Sequence, residues 1–214
     1  GFIYYTPATG LWFGASPELL FENDSREGCS HTMALAGTRP LGTPGPWDEK
    51  NIEEHELVVR FIVDALRQCA LRPSVGKRSS VAFGAVEHLM TPVEAAEAFD
   101  PLMAIAMLSP TPALAGYPRP TALAEIRSLE SHRRGCYGGC VVYDTADGRT
   151  VAFVNLRSVH FRGNGNSGEF NIFVGGGITS KSCPDDEWRE TELKSETLLR
   201  ILNNTTDDVA TKQQ

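Results

Sequence analysis

"CYGGCVVYDTADGRTVAFVNLRSVHFRGNGNSGEFNIFVGGGI", residues 136–178, is rich in β-branched and aromatic residues and is punctuated twice by turn-forming clusters, "ADGR" and "GNGNSG". Branched and ring side chains suit a pleated, half-buried surface, and Gly, Asn and Asp bound such runs. The stretch therefore predicts three consecutive antiparallel strands, "CYGGCVVYDT", "TVAFVNLRSVHFR" and "EFNIFVGGGI". "GNGNSG" also fits G-x-G-x-x-G. A dinucleotide-binding turn must open a helix whose N-terminus faces the pyrophosphate; here another strand follows, so the match reads as a hairpin connection.

Working outward, the N-terminal segments "FIYYT", "GLWFGA", "ELLFEN" and "HTMALAG" read as further short strands, followed by a Pro/Gly-rich loop, "RPLGTPGPW". From Asp48, a suitable N-cap, to about Leu71 the apolar residues Ile52, Leu57, Val58, Phe61, Ile62, Ala65 and Leu66 recur at helical spacing. "SSVAFGAVEHLMTP" reads as a strand and then a loop, "PVEAAEAFDPLMAIAML" as helices, "SPTPALAGYPRP" as a second loop and "TALAEIRSLES" as a short helix. A last helix is expected from Pro184 to Leu202, anchored by a stripe from Trp188 through Leu198, Leu199 and Leu202. The fold class that results is α+β: layered antiparallel β-sheet flanked by helices, one domain or part of one over residues 1–203, with a frayed polar tail over 204–214.

Composition narrows the function classes. A 41% apolar, 22% charged chain of 214 residues is long enough for a sizeable core. Its formal charge of −7 offers no footprint for nucleic acid, and no apolar run approaches the roughly 20 residues that span a membrane. Five dispersed cysteines with no CxxC pair indicate reduced thiols and a cytoplasmic setting, or an organelle if a transit peptide precedes the sequence. The N-terminus has no basic n-region, lacks an initiator Met and begins within a strand pattern, which suggests a fragment.

Two kinds of constellation carry chemistry. Glu187, Glu190 and Lys194 are three, then four, residues apart, so they share one wedge of the last helix. Glu54 lies on a helix whose other face is apolar. Three carboxylates converging from two helices make an oxygen-rich site for a hard cation such as Mg²⁺; Glu-rich helices also occur simply as solvated faces. The second kind suits an organic anion. "LAGTR" ends a strand with the backbone N–H groups and hydroxyl of Gly37 and Thr38, Arg157 sits in an alternating apolar strand and needs a carboxylate partner, and "VGGGI" lets a ligand approach the backbone.

Together, nine segments resemble the chorismate-utilising enzymes, a family that includes isochorismate, salicylate, anthranilate and aminodeoxychorismate synthases. They are "GASPELL", "ALAGTRP", "KNIEEHELV", "EHLMTP", "SPTPALAGYP", "RGCYGG", "LRS", "GGGI" and "EWRETELK", in the family's order. The resemblance covers about the C-terminal half of the usual catalytic domain and implies its layered α+β fold. "SPTPALAGYP" and "KNIEEHELVVRFIVDAL" resemble the isochorismate synthase branch rather than the amide-nitrogen-using members, so no amidotransferase subunit is implied.

The resemblance implies a Mg²⁺-dependent conversion of chorismate to isochorismate, with water added at C2 and the hydroxyl lost from C4. Glu18 would be the general acid. Glu54, Glu187 and Glu190 would hold Mg²⁺. Arg157 and Tyr137 would grip the enolpyruvyl carboxylate, with Gly175 and Gly176 admitting it to the backbone. Gly37, Thr38 and His88 would line the ring, and Lys194 would balance the acids. The family's base is a Lys upstream of Gly1. Ser109 stands where the family has His, and "LESHRRG" replaces an "LEPFDRG"-like stretch, which predicts less secure contacts at the Tyr137 turn. Salicylate synthase, or a truncated, non-catalytic chorismate- or metal-binding half-domain, are the competing expectations.

Overall fold

The computed structural model describes residues 1–97, 99–164 and 167–211. The strands are β1 (Phe2–Thr6), β2 (Gly10–Gly14), β3 (Leu19–Asp24), β4 (Cys29–Pro40), β5 (Pro73–Val75), β6 (Ser79–Phe83), β7 (Val86–Ala95), β8 (Cys140–Asp144), β9 (Arg149–Val154), β10 (Ser158–Asn164) and β11 (Ser167–Phe173). The helices are α1 (Glu49–Gln68), α2 (Pro101–Leu108), α3 (Pro112–Ala115), α4 (Arg119–Leu129) and α5 (Pro184–Thr211). One sheet has the order β1-β2-β10-β11. The other has β5-β7-β4-β3-β9-β8, with β6 also pairing β7. Every strand pair among the described residues is antiparallel.

The decisive stretch folds into four strands rather than three. "TVAFVNLRSVHFR" divides into β9 and β10, which belong to different sheets. The break has a hydrogen-bonding cause. Asn155 leaves the β3 ladder to exchange backbone bonds with the 138–139 turn, and its side-chain amide donates to Cys136 O at 2.8 Å. After Arg157 the chain pairs with β2 instead. The link from β2 to β3 makes the opposite crossing beside it, with Ala15 N–H donating to Arg157 O and Val154 N–H to Glu18 O. The two sheets thus meet along a seam formed by residues 15–18 and 154–157.

"GNGNSG" is the expected hairpin, with Gly163 opposite Gly168 and Asn164 opposite Ser167; its tip, residues 165–166, lies outside the described residues. "GAVEHLMTPVEA" is not loop and helix but β7, which pairs with β4 from Ser30↔Ala95 to Pro40↔Val86. Its alternation buries Val86, His88, Thr91, Val93 and Ala95, and that periodicity overrides the helix propensity of the Ala/Glu run.

Helix α1 starts where predicted, because Asp48 Oδ1 accepts the Asn51 N–H at 2.7 Å. It lies on β4 and β7. Val58, Ile62 and Leu66, one turn apart, form a single core cluster with Phe21, Ala34 and Val93. Each such side chain contributes roughly 1.5–3 kcal/mol by leaving water. The helix ends at Ala70, whose φ of 60° is left-handed, while Leu71 N–H reaches back to Leu66 O. Helix α5 runs past the predicted stop at Leu202 to Thr211, into the stretch expected to fray; neither Gly nor Pro interrupts it there. The predicted anchoring stripe is also corrected: Leu198 is buried, whereas Trp188 and Leu199 are exposed. No helix among the described residues is long and apolar enough to cross a membrane.

Candidate active site

The seam collects the predicted site residues. Glu18 closes the β2–β3 crossing and Arg157 the β9–β10 crossing. With Thr38, Glu54, His88, Tyr137, Gly175, Gly176 and Lys194 they line one cavity of about 50 Å³. A cleft of about 1220 Å³ lies alongside, and Gly175–Gly177, Tyr137 and Glu54 border both spaces.

Glu18 is 2% exposed, and among the described residues its Oε2 has no hydrogen-bond partner. Burial pushes its carboxyl up to about 8, with the nearby Thr111 hydroxyl and the Lys194 charge pulling partly the other way. At neutral pH it holds its proton.

Gly37 and Thr38 stand at a bulge, where the β4–β7 register shifts between Ala36 and Thr38. Gly37 has φ +77°, and a Cβ there would come within 2.8 Å of Asn51 O on α1. Asn51 Oδ1 accepts the Thr38 N–H at 2.8 Å, so the bulge and the first turn of α1 are locked together. His88 faces Thr38 across the ladder. Arg157 Nη2 lies 3.1 Å from His88 Nε2, and His88 Nδ1 lies 3.0 Å from Thr38 Oγ1. Guanidinium can only donate, so Nε2 accepts and the ring proton sits on Nδ1. Burial, then the Lys194 and Arg157 charges, drives His88 down to about 3, so it is a neutral orienting group. Burial also lowers the Arg157 guanidinium below its ordinary value, which Glu190 partly offsets. Among the described residues no carboxylate pairs with Arg157 within 4.0 Å.

Tyr137 is buried, and burial raises its phenol. Its ring stacks on Phe173 at 5.5 Å, and a Cβ on Gly175 would meet its hydroxyl at 2.7 Å. Within "LESHRRG" the turn keeps one ion pair, between residues that the "LEPFDRG"-like stretch also has. Arg134 donates to both oxygens of Glu130, at 2.8 and 2.6 Å, and to Leu114 O at 2.6 Å, which fixes the turn.

The acids converge on the glycine strap. A Cβ on Gly176 would lie 3.3 Å from both Glu187 Oε2 and Glu190 Oε1, and one on Gly177 would overlap the Glu54 carboxylate. Lys194 donates to Glu190 at 2.6 Å and to Gly175 O at 2.9 Å, so it tethers the strap as well as balancing charge. Burial raises Glu54, with Lys50 opposing and Glu190 adding to the rise. Glu187 is buried and accepts from Ser182 Oγ at 2.5 Å, while its Oε2 has no partner.

This donor set has the chemistry of a hard-cation site, and the orphaned Glu187 oxygen is the atom an ion would satisfy. The spacing is at present set by Lys50, whose ammonium lies 2.7 Å from Glu187 and 3.3 Å from Glu54. Among the described residues no three acidic, His or Cys side chains are grouped as metal ligands. Burial alone would lower Lys50, but the hydrogen bond to Glu187 and the charges of Glu54, Glu187 and Glu190 hold it above its ordinary value.

Residues 2–203 match the family described as "Chorismate binding enzyme". The chain belongs to that family. Isochorismate synthase EntC of Escherichia coli K12 is 33% identical over 206 residues, covering 90% of this chain and 51% of EntC. The solved structure of a putative 2,3-dihydroxybenzoate-specific isochorismate synthase, DhbC, from Bacillus anthracis superposes with a TM-score of 0.79 at 26% identity, over 94% of this chain and 57% of that one. Menaquinone-specific isochorismate synthase MenF from Escherichia coli gives 0.73 at 29% identity, over 88% and 45%. The chain spans about half the length of the curated relatives it matches.

Within this member of the family, three site-forming residues were not singled out from the sequence. Lys50 was detectable as the i,i+4 partner of Glu54. Asn51 had no local signal, since the Thr38 N–H it accepts lies on another element, whereas Ser182 acts on Glu187 only five residues ahead, across the start of α5.

Proposed function

We propose that this chain forms the acid and metal side of an isochorismate synthase. The observation that carries the reading is Glu18: a carboxyl buried at the sheet seam, protonated at neutral pH, with an oxygen that is unpartnered among the described residues, in a cavity shared with an Arg that among those residues has no ion pair.

The reaction moves a hydroxyl from C4 to C2 of the ring. Hydroxide is a poor leaving group, so the C4 oxygen needs a proton as its bond breaks, and Glu18 donates it. The C4 oxygen departs as water, while a base takes a proton from the water that bonds to C2. We assign that base to the half of the relatives' length that this chain does not span. Arg157 and Tyr137 bind the enolpyruvyl carboxylate against Gly175 and Gly176, and His88 keeps Arg157 and Thr38 oriented along the ring. Glu54, Glu187 and Glu190 would hold Mg²⁺, which when bound supplies a Lewis acid for the ring carboxylate.

The test is product analysis of chorismate and Mg²⁺ incubated with the protein, expressed from its complete coding sequence, and its Glu187→Gln variant. Isochorismate without pyruvate is expected, with turnover lost in the variant. Pyruvate and salicylate would assign the salicylate synthase reaction instead, and no turnover at all would refute the enzymatic reading. Unchanged Mg²⁺ dependence in the variant would refute the metal assignment.

A further inference from the structure

Lys50 occupies an awkward place. It lies in the first turn of α1, where the helix dipole opposes a cation, and its side chain is only 16% exposed. A buried ammonium is tolerated only when it is paired, and Lys50 is paired twice, bridging α1 to α5 through Glu54 and Glu187. The second oxygen of Glu187 remains buried without a partner, so the ammonium does not satisfy the cluster. An ammonium carries one charge and three donors on a flexible four-carbon stem, which can withdraw towards solvent.

We propose that Lys50 is a built-in counter-cation: it holds the carboxylate cluster together when no metal is bound, gives way as a divalent cation enters, and so sets the cluster's affinity for that cation. The inference rests on the metal assignment above. Lys194 differs, because its ammonium also holds Gly175 O and therefore fixes the strap. Lys181 differs again, pairing with the more exposed Glu49 and Glu53 outside the cluster.

The experiment is calorimetric titration of the chain with MgCl₂, comparing wild type, Lys50→Gln, Lys50→Arg and Lys181→Gln, with Glu187→Gln as the reference for a broken site. Metal-free and Mg²⁺-loaded thermal melts are recorded alongside. Lys50→Gln should bind Mg²⁺ tighter by roughly tenfold or more, because an attraction between unit charges at this range is strong in partly buried surroundings. Its metal-free melting temperature should fall and be restored by Mg²⁺. Lys50→Arg, which pairs with carboxylates through two donors, should bind more weakly than wild type. Lys181→Gln removes the same charge nearby and should stay within about twofold of wild type, since exposed charges are screened.

Equal or weaker binding by Lys50→Gln would overturn the proposal while leaving the metal assignment standing, provided Glu187→Gln still loses binding. An equal gain in Lys181→Gln would reduce the effect to net charge and overturn it too. Binding by Lys50→Gln but not by wild type would support it, with the ammonium as the winning competitor. If neither binds, this inference and the metal assignment both fall.

Discussion

Replacing Glu18 with Gln keeps the shape of the side chain and removes its one titration, which isolates the proton that the proposed reaction needs. The carboxyl is 2% exposed and moves from 4.5 to about 8 on folding. Between those values the unfolded chain has released the proton and the folded chain still holds it. Stability therefore falls as pH rises, by about 1.4 kcal/mol per pH unit and about 5 kcal/mol across the whole window. Below 4.5 both states hold the proton, and above 8 both have released it. His88 works in the opposite sense: depressed to about 3, it adds stability as pH rises from 3 to 6.5. Its effect is common to both proteins and cancels in the difference. Urea unfolding of wild type and Glu18→Gln from pH 5 to pH 8 should give a stability difference that changes by about 3–4 kcal/mol, with the variant gaining on the wild type as pH rises. Turnover of chorismate should fall by about 10²–10⁴ in the variant, the usual worth of a positioned acid. Parallel pH profiles for the two proteins would refute the raised carboxyl, and with it the reason for naming Glu18 the acid.

Gly177→Ala places a methyl group against the Glu54 carboxylate, so the strap or the acid must move. A cost of about 1–3 kcal/mol in urea unfolding is expected, together with loss of Mg²⁺ binding by calorimetry; retained binding would show that the strap does not position Glu54. Ala70→Gly relieves a left-handed backbone at the end of α1. Offset by the greater freedom of Gly in the unfolded chain, it should stabilise by about 0.5–1 kcal/mol, read as a melting temperature higher by about 2–3 °C. A lower melting temperature would mean that Ala70 is not strained.

Much of this arrangement was legible locally. Asp48 announces α1, and the spacing of Glu187, Glu190 and Lys194 does place them inward on α5. Arg157 in an apolar run did signal an inward cation. What was not legible depended on partners far away in sequence. Nothing within "TVAFVNLRSVHFR" marks Asn155 as the point where one sheet is exchanged for another, because the carbonyl and N–H groups it answers belong to residues 136–139. The Ala/Glu composition after Pro92 favours helix, and only the facing strand β4 makes its two-residue period decisive. Lys50 carries only the i,i+4 signal to Glu54; its contact with Glu187 lies on a helix more than a hundred residues later.

The seam has a mechanical consequence. Glu18 and Arg157 belong to neither sheet's interior but to the two short crossings that splice one sheet to the other, held side by side by the Ala15–Arg157 and Val154–Glu18 hydrogen bonds. A tilt of one sheet against the other would strain these two bonds, and with them the separation of the acid and the arginine. A carboxylate clamped by Arg157 would in turn stiffen the joint between the sheets. The amides of Ala15 and Val154 lie on that hinge, and their rates of hydrogen exchange would report how firmly the two halves of the site are locked together.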